Sequence, residues 1–400
     1  MQRARAPRFQ QSMNLLRCAL AGSLLAASAF PALAQNRDAG FSVRPGFKIT
    51  VAAQGIGQTR FLEVGPKGRL WVSQPNSGTI VSLQKGSDGT YKKVGDFVTD
   101  KPSVHAMQFR DGWLWFAQSG TIWKARDTKN TGTADEVVKV LDGLPSGGGH
   151  WYRPILVTDS GFYTGIGDDG NINDHYDATK EGGEREKIWF YNLDGTGKTL
   201  WAGGIRNTEK LLFRPGTQEV WGADHGSDNF GKPLGEKDGV QPITDLIPPD
   251  EFNRYEKGGF YGHPFVMGNG MVRLEYKDRP DLLELAGKTV QPEWRLGAHW
   301  APNGWTFLRS NALGMKGDAV VACHGSWNSS RKVGYRLERI VFDAQTGRPM
   351  GAQLLVSTLG QDDNVLARPV DVAEDSDGTI LFSDDQTNRV YRVSKAATPR

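Results

Sequence analysis

The sequence predicts an all-β fold, a six-bladed β-propeller. Three observations carry that expectation. The 400 residues include 50 glycines and 12 tryptophans; glycine punctuates turns and tryptophan suits half-buried pleated surfaces. Beyond Gly46 no long window places apolar residues at helical spacing, whereas short apolar runs bounded by Gly, Asp or Pro recur. One signature, a polar turn followed by an aromatic and aliphatic strand, returns six times.

The copies lie at 65–72, 110–116, 158–163, 215–221, 315–321 and 375–382. In most of them a further strand follows, at 78–81, 120–123, 187–190, 334–337 and 388–391. Spacings of roughly 45 to 60 residues, with one longer gap, suit blades of four antiparallel strands. A β-sandwich does not normally repeat one signature six times. Residues 46–52 precede the first copy and have strand composition, so they are expected to complete the last blade and close the ring. The gap from Asp224 to Trp300 is expected to hold a large insertion, and insertions on one face of a propeller often shape its site.

Ahead of the repeats, Arg3, Arg5, Arg8 and Arg17 precede an apolar run from Cys18 to Phe30 and a small-residue end at Ala34. That is the pattern of a secretory signal, residues 1–34, leaving 35–400 as a single propeller domain, periplasmic or secreted. The apolar run is shorter than the roughly 20 residues that span a bilayer, so no stable membrane insertion is expected. Arg17 is the wrong neighbour for lipid attachment at Cys18. Cleavage leaves Cys323 as the only cysteine and hence no intrachain disulfide. The formal net charge of +3 comes from interspersed signs, which announces no polyanion surface; nucleic acid is not an expected partner.

The chemistry gathers in two clusters. In the first, residues 147–153 carry His150 after three glycines, and 163–173 carry Asp168 and Asn173. The stretch 165–170 matches the spacing of a dinucleotide-binding loop, but two carboxylates occupy the turn and the residues that follow are poor helix formers. His150 reads either as a base held by the aspartate one strand later or as a turn histidine packed on Trp151. The second cluster spans 203–207, 221–229, 248–253 and 258–264. Its acidic and amide oxygens, without cysteine, suit a hard cation such as calcium better than zinc; a solvated polar loop is the alternative. Residues 127–132 read as a surface turn.

Taken together, His150 with the Gly-Asp-Asp-Gly segment at 167–170, Arg206-Asn207, the segments 248–251 and 259–264, His324-Gly-Ser-Trp-Asn328 and 368–371 resemble the glucose/sorbosone dehydrogenase family. The resemblance covers nearly the whole mature chain, and the segment 324–328 places it nearer the sorbosone dehydrogenase branch than the soluble glucose dehydrogenases. It implies a six-bladed propeller holding pyrroloquinoline quinone (PQQ) and Ca2+ on its axis and oxidising an aldose or a sorbosone-like aldehyde at C1. Carried over, it makes His150 the base and Asp168 the group that orients it. Arg206 would stabilise developing negative charge, with Asn207 and Asn173 lining the site. Arg331 or Lys332, together with Arg368, would meet the cofactor's carboxylates. The backbone oxygens of Gly226 and Ser227 would hold the calcium.

One position departs from the family: Val370 stands where the glucose enzymes have a second arginine. The resemblance assigns no role to Asp250 and Glu251, which are candidates for holding a structural calcium. Electrons would leave to an external acceptor, a quinone or a cytochrome, because the chain lacks the cysteines for haem attachment or an iron-sulfur cluster. Two alternatives use the same architecture: a calcium-dependent lactonase, for which the arginines have no purpose, and a non-catalytic binding propeller.

Overall fold

Six antiparallel sheets succeed one another along the chain and surround one axis. The computed structural model describes residues 34–35, 39–229 and 244–397. Blade one comprises Leu62–Val64, Arg69–Gln74, Thr79–Lys85 and Tyr91–Val98, and blade two Met107–Arg110, Trp113–Gln118, Thr121–Arg126 and Glu136–Leu141. Blade three comprises Ile155–Val157, Gly161–Ile166, Lys187–Asn192 and Thr199–Gly203; blade four comprises Thr208–Phe213, Val220–Asp224, Glu251–Tyr255 and Trp294–Arg295. Blade five runs through Pro302–Phe307, Ala319–Cys323, Arg336–Phe342 and Pro349–Ser357. Blade six takes Pro369–Glu374, Ile380–Asp384 and Arg389–Lys395 from one end of the ring and Phe47–Ala53 from the other, as expected. The first strand of each blade is innermost, and these six strands neighbour one another around the axis.

The repeated signature is the first turn and second strand of each blade. That strand is sandwiched between neighbouring blades, so both of its faces are covered; Gly161–Ile166, Val220–Asp224, Ala319–Cys323 and Ile380–Asp384 are buried throughout. A strand buried on both faces has no reason to alternate apolar and polar residues, hence the continuous apolar runs. The cores lie between blades. Trp71, Phe97, Trp115 and Phe116 fill one, and Trp221, Phe252, Trp305, Phe307 and Phe342 fill another, with Phe252 and Trp305 rings 4.8 Å apart edge to face.

The expected insertion lies mostly between the third and fourth strands of blade four. Gly259–Phe260 joins the outer edge of blade three in parallel beside Thr199–Gly203. A hairpin of Val266–Met267 and Met271–Val272 and the helix Leu282–Lys288 follow, with Leu282 and Leu285 packed on Phe260, Phe265 and Val266. The segment climbs blade three to the end of the ring where the chain enters each first strand. Residues 1–33 of the expected signal lie outside the described residues. No helix among the described residues is long and apolar enough to cross a membrane.

Candidate functional site at one mouth of the axis

In a blade of four antiparallel strands, the segment entering the first strand and the loop joining the second to the third share one end. All seven histidines lie at that end. His105, His150 and His299 precede first strands; His175, His225 and His324 follow second strands; the insertion delivers His263.

The loop bearing His150 is pinned from below. Arg153, 2% exposed, donates to the carbonyls of Ser119, Pro145 and Gly165. Arg185 donates to those of Ser146, Gly147 and Gly167. The glycines are required by contact: Gly148 has φ +81°, and a Cβ there would meet Asp169 Cα at 2.6 Å. His150 Nδ1 lies 2.8 Å from the Asp168 backbone carbonyl. A carbonyl only accepts, so Nδ1 carries the proton and Nε2 keeps its lone pair. Burial first, then the Arg206 charge, pushes His150 down to about 3, so the ring is neutral at physiological pH.

Asp168 therefore orients His150 through its backbone, not through its carboxylate. The carboxylate accepts from the amides of Gly170 and Asn173 and lies 3.1 Å from His263 Nε2. Burial pushes it up, but these hydrogen bonds, His263 foremost, hold it below the usual carboxylate range. The Asn173 side chain, exposed, donates to Asp169.

Arg206 is 4% exposed and donates to Asn171 and to Asp228 Oδ2 at 3.1 Å. Asp228 in turn lies 3.3 Å from His299 Nδ1. Gly167 keeps blades three and four in contact here, since a Cβ on it would strike the Arg206 carbonyl and, at 2.7 Å, the His150 Cβ. The Asn207 amide nitrogen reaches Glu209 and, at 3.1 Å, His225 Nδ1, while its Oδ1 is buried without a partner.

A polar chain crosses the axis from there. Glu209 lies 3.1 Å from His105 Nε2 and 3.7 Å from Arg60, which pairs with Asp385 at 2.7 Å. Asp385 holds His324 Nε2 at 2.9 Å, and His324 Nδ1 meets Arg368 at 3.0 Å. Tyr152 stacks on His105 at 3.9 Å, and the Arg60 guanidinium lies over the Tyr152 ring, 4.8 Å from its centroid. All six blades thus contribute. Sequence reasoning missed Arg60, His105, Glu209 and Asp385; their signal was position just before or at the start of a first strand, or just after a second.

The remaining expected residues divide. Arg331 and Lys332 are exposed on a loop apart from this chain, with the Lys332 ammonium on the Asp363 carbonyl. Val370 is fully buried in the core cluster that contains Phe61, and Arg60 supplies a cation at the mouth instead. The Gly226 amide donates to Asp250, and a Cβ at Gly226 would meet the carbonyls of Pro249 and Pro248 at 2.8 and 3.1 Å. Gly226 and Ser227, with Asp224 and Glu251, line a cavity of about 20 Å3, room for one small ion or water. Asp250 also accepts from the Ala301 amide, and Glu251 from Gly268 and Asn253, so both tie the insertion to the ring. The unpartnered Asn207 oxygen, the Arg60 and Arg368 cations and the glycine-only cradle are features that fit an anionic, metal-bridged cofactor.

Comparison with known proteins bears on the fold. The family described as TrAA12-like matches residues 284–396. An uncharacterized protein of Borreliella burgdorferi is 31% identical over 210 residues, 52% of this chain and 51% of that protein, so the chain spans about half the length of the curated relative it matches. The holo form of the pyranose dehydrogenase PQQ domain from Coprinopsis cinerea superposes with a TM-score of 0.74 at 18% identity, covering 91% of this chain and 99% of that one. The Trichoderma reesei carbohydrate-active enzyme of family AA12 gives 0.74 at 16% identity, covering 91% and 99%. The PQQ-bound aldose sugar dehydrogenase of Streptomyces coelicolor gives 0.61 at 18%, covering 88% and 99%. The six-bladed propeller expected from the sequence is therefore the fold of this chain, and its structural neighbours include soluble PQQ-dependent sugar dehydrogenases.

Proposed function

We propose that the protein is a PQQ-dependent oxidoreductase that oxidises a sugar, an aldose or a sorbosone-like aldehyde hydrate, at C1 in the periplasm or outside the cell. The observation that carries this reading is the neutral His150, its Nδ1 proton committed to the Asp168 carbonyl and its Nε2 lone pair free, beside the buried Arg206. PQQ, when bound with Ca2+, supplies the two-electron acceptor. His150 Nε2 accepts the proton of the substrate hydroxyl. Arg206, fixed by Asn171 and Asp228, places positive charge where negative charge develops. Arg60 and Arg368, and from the rim Arg331 or Lys332, meet carboxylates, while Asn207 Oδ1 and Asn173 line the mouth. The carbonyls of Gly226 and Ser227 would hold the calcium. Trp327, 75% exposed, offers a ring face to a sugar. Electrons pass on to an external quinone or cytochrome.

The buried guanidinium of Arg60 on the axis is a poor neighbour for the side-chain-ligated metal that a lactonase of this architecture needs. The test is reconstitution of the chain with PQQ and Ca2+, followed by dye reduction with a panel of aldoses and sorbosone. The expected result is stoichiometric cofactor uptake and sugar-dependent reduction. A chain that takes up no PQQ sinks the reading.

A further inference from the structure

Behind His150, on the far side of Asp168, four ligand-bearing side chains converge. His263 Nε2 lies 3.1 Å from Asp168 Oδ2 and 3.6 Å from Glu186 Oε1, and His175 Nε2 lies 4.0 Å from Asp168 Oδ1. The ligand atoms of Asp168, His175 and Glu186 all fall within 4.8 Å of one another. A zinc ion with tetrahedral N and O ligands at about 2.0 to 2.2 Å sets those atoms about 3.4 Å apart; the distances here run from 3.1 Å to at most 4.8 Å, so the outer ligands would draw in on binding. Glu186 is the second observation: it is 1% exposed, and neither carboxylate oxygen has an aligned hydrogen-bond donor. A buried carboxylate whose oxygens lack an aligned donor is costly, and a cation is the group that would complete it.

We infer that Asp168, His175, Glu186 and His263 form a binding site for one divalent transition-metal ion, best matched by zinc. The donor set is two imidazoles and two carboxylates, which suits zinc over calcium. The surroundings support the ligands: the amides of Gly170 and Asn173 hold Asp168, and Lys187, bonded to the carbonyls of His175 and Arg185, fixes the loop. Asp169 competes for His175, its Oδ1 lying 3.0 Å from Nε2. Because the Asp168 carbonyl also receives the His150 proton, the ion would stiffen the segment that sets the His150 tautomer.

The test needs neither PQQ nor turnover. Full-length protein stripped with a chelator is titrated with Zn2+ by calorimetry, and its melting is followed with and without the metal. One equivalent is expected, with a raised Tm, no displacement by millimolar Ca2+, and binding weakened at least about tenfold in Glu186→Gln, the loss typical of even an outer-shell partner. His175→Gln, on a half-buried loop, is the second variant should Glu186→Gln melt early, and Asp135→Asn on the surface is the control. No zinc uptake, displacement by Ca2+, or equal binding by both cluster variants and wild type overturns the site. PQQ uptake measured separately keeps this outcome distinct from failure of the quinone reading.

Discussion

At one end of the ring seven histidines meet the buried arginines 60, 153, 185 and 206; at the other, the chain reverses through short Gly- and Asp-bearing turns around a cavity of about 390 Å3. That cavity is lined by Glu63, Arg110, Lys210, Arg309 and Glu374 and holds no histidine. It is far larger than the cavity beside Gly226, yet size does not locate the chemistry. The turn end repeats because each turn only has to reverse a strand. The histidine end varies because each loop delivers different groups to a shared mouth, held by backbone contacts such as those of Arg153.

The comparison is broken most directly at His150. His150→Gln should lower sugar-dependent dye reduction by about 10²- to 10⁴-fold while PQQ uptake persists; full activity would remove the base from this end. Arg206→Gln should reduce kcat by about 10²- to 10³-fold, with the Tm measured alongside to separate chemistry from packing.

Individual groups at the two ends, His105 and His225 at one and Glu63 at the other, should answer pH in opposite senses. Burial pushes His105 and His225 down to about 4, so the unfolded chain binds more protons between pH 6.5 and 4. Stability should therefore fall as pH drops through that window, by about 1.4 kcal/mol per pH unit for each histidine. Burial raises Glu63 to about 7, so the folded chain holds the extra proton there, and stability from that group is lost as pH rises from 4.5 to 7. Melts across pH 4 to 7 on His105→Gln and Glu63→Gln should show the slope flattened in one and steepened in the other. The smallest effect is expected from Trp327→Ala: a several-fold rise in KM, about 1 kcal/mol, with little change in Tm because the ring is 75% exposed.

The fold was legible because one local pattern, a turn and a strand buried on both faces, is written into the chain six times. Strand composition also marked residues 46–52 as the closing piece, and Phe47–Ala53 occupies that place. The mouth was less legible. Sequence reasoning singled out His150, Arg206 and Asn207, which the fold brings to one mouth, but Arg60, Glu209 and Asp385 come from blades one, four and six, and nothing periodic links them. At Asp168 the side chain and its own carbonyl carry different partners, which sequence does not separate. His263 was hidden for another reason: an insertion from blade four lands on blade three.

The strand Phe47–Ala53 pairs with Arg389–Lys395 and completes blade six, with no disulfide to hold the join. Closing so long a loop is not the obstacle, since each doubling of length adds only about 0.6 kcal/mol. Timing is. A chain threaded from its amino end must keep this strand unpaired until the final one arrives, so five blades can form around an open seam. Through that interval the strand is adhesive, and a chain cut short before Arg389 would keep it so.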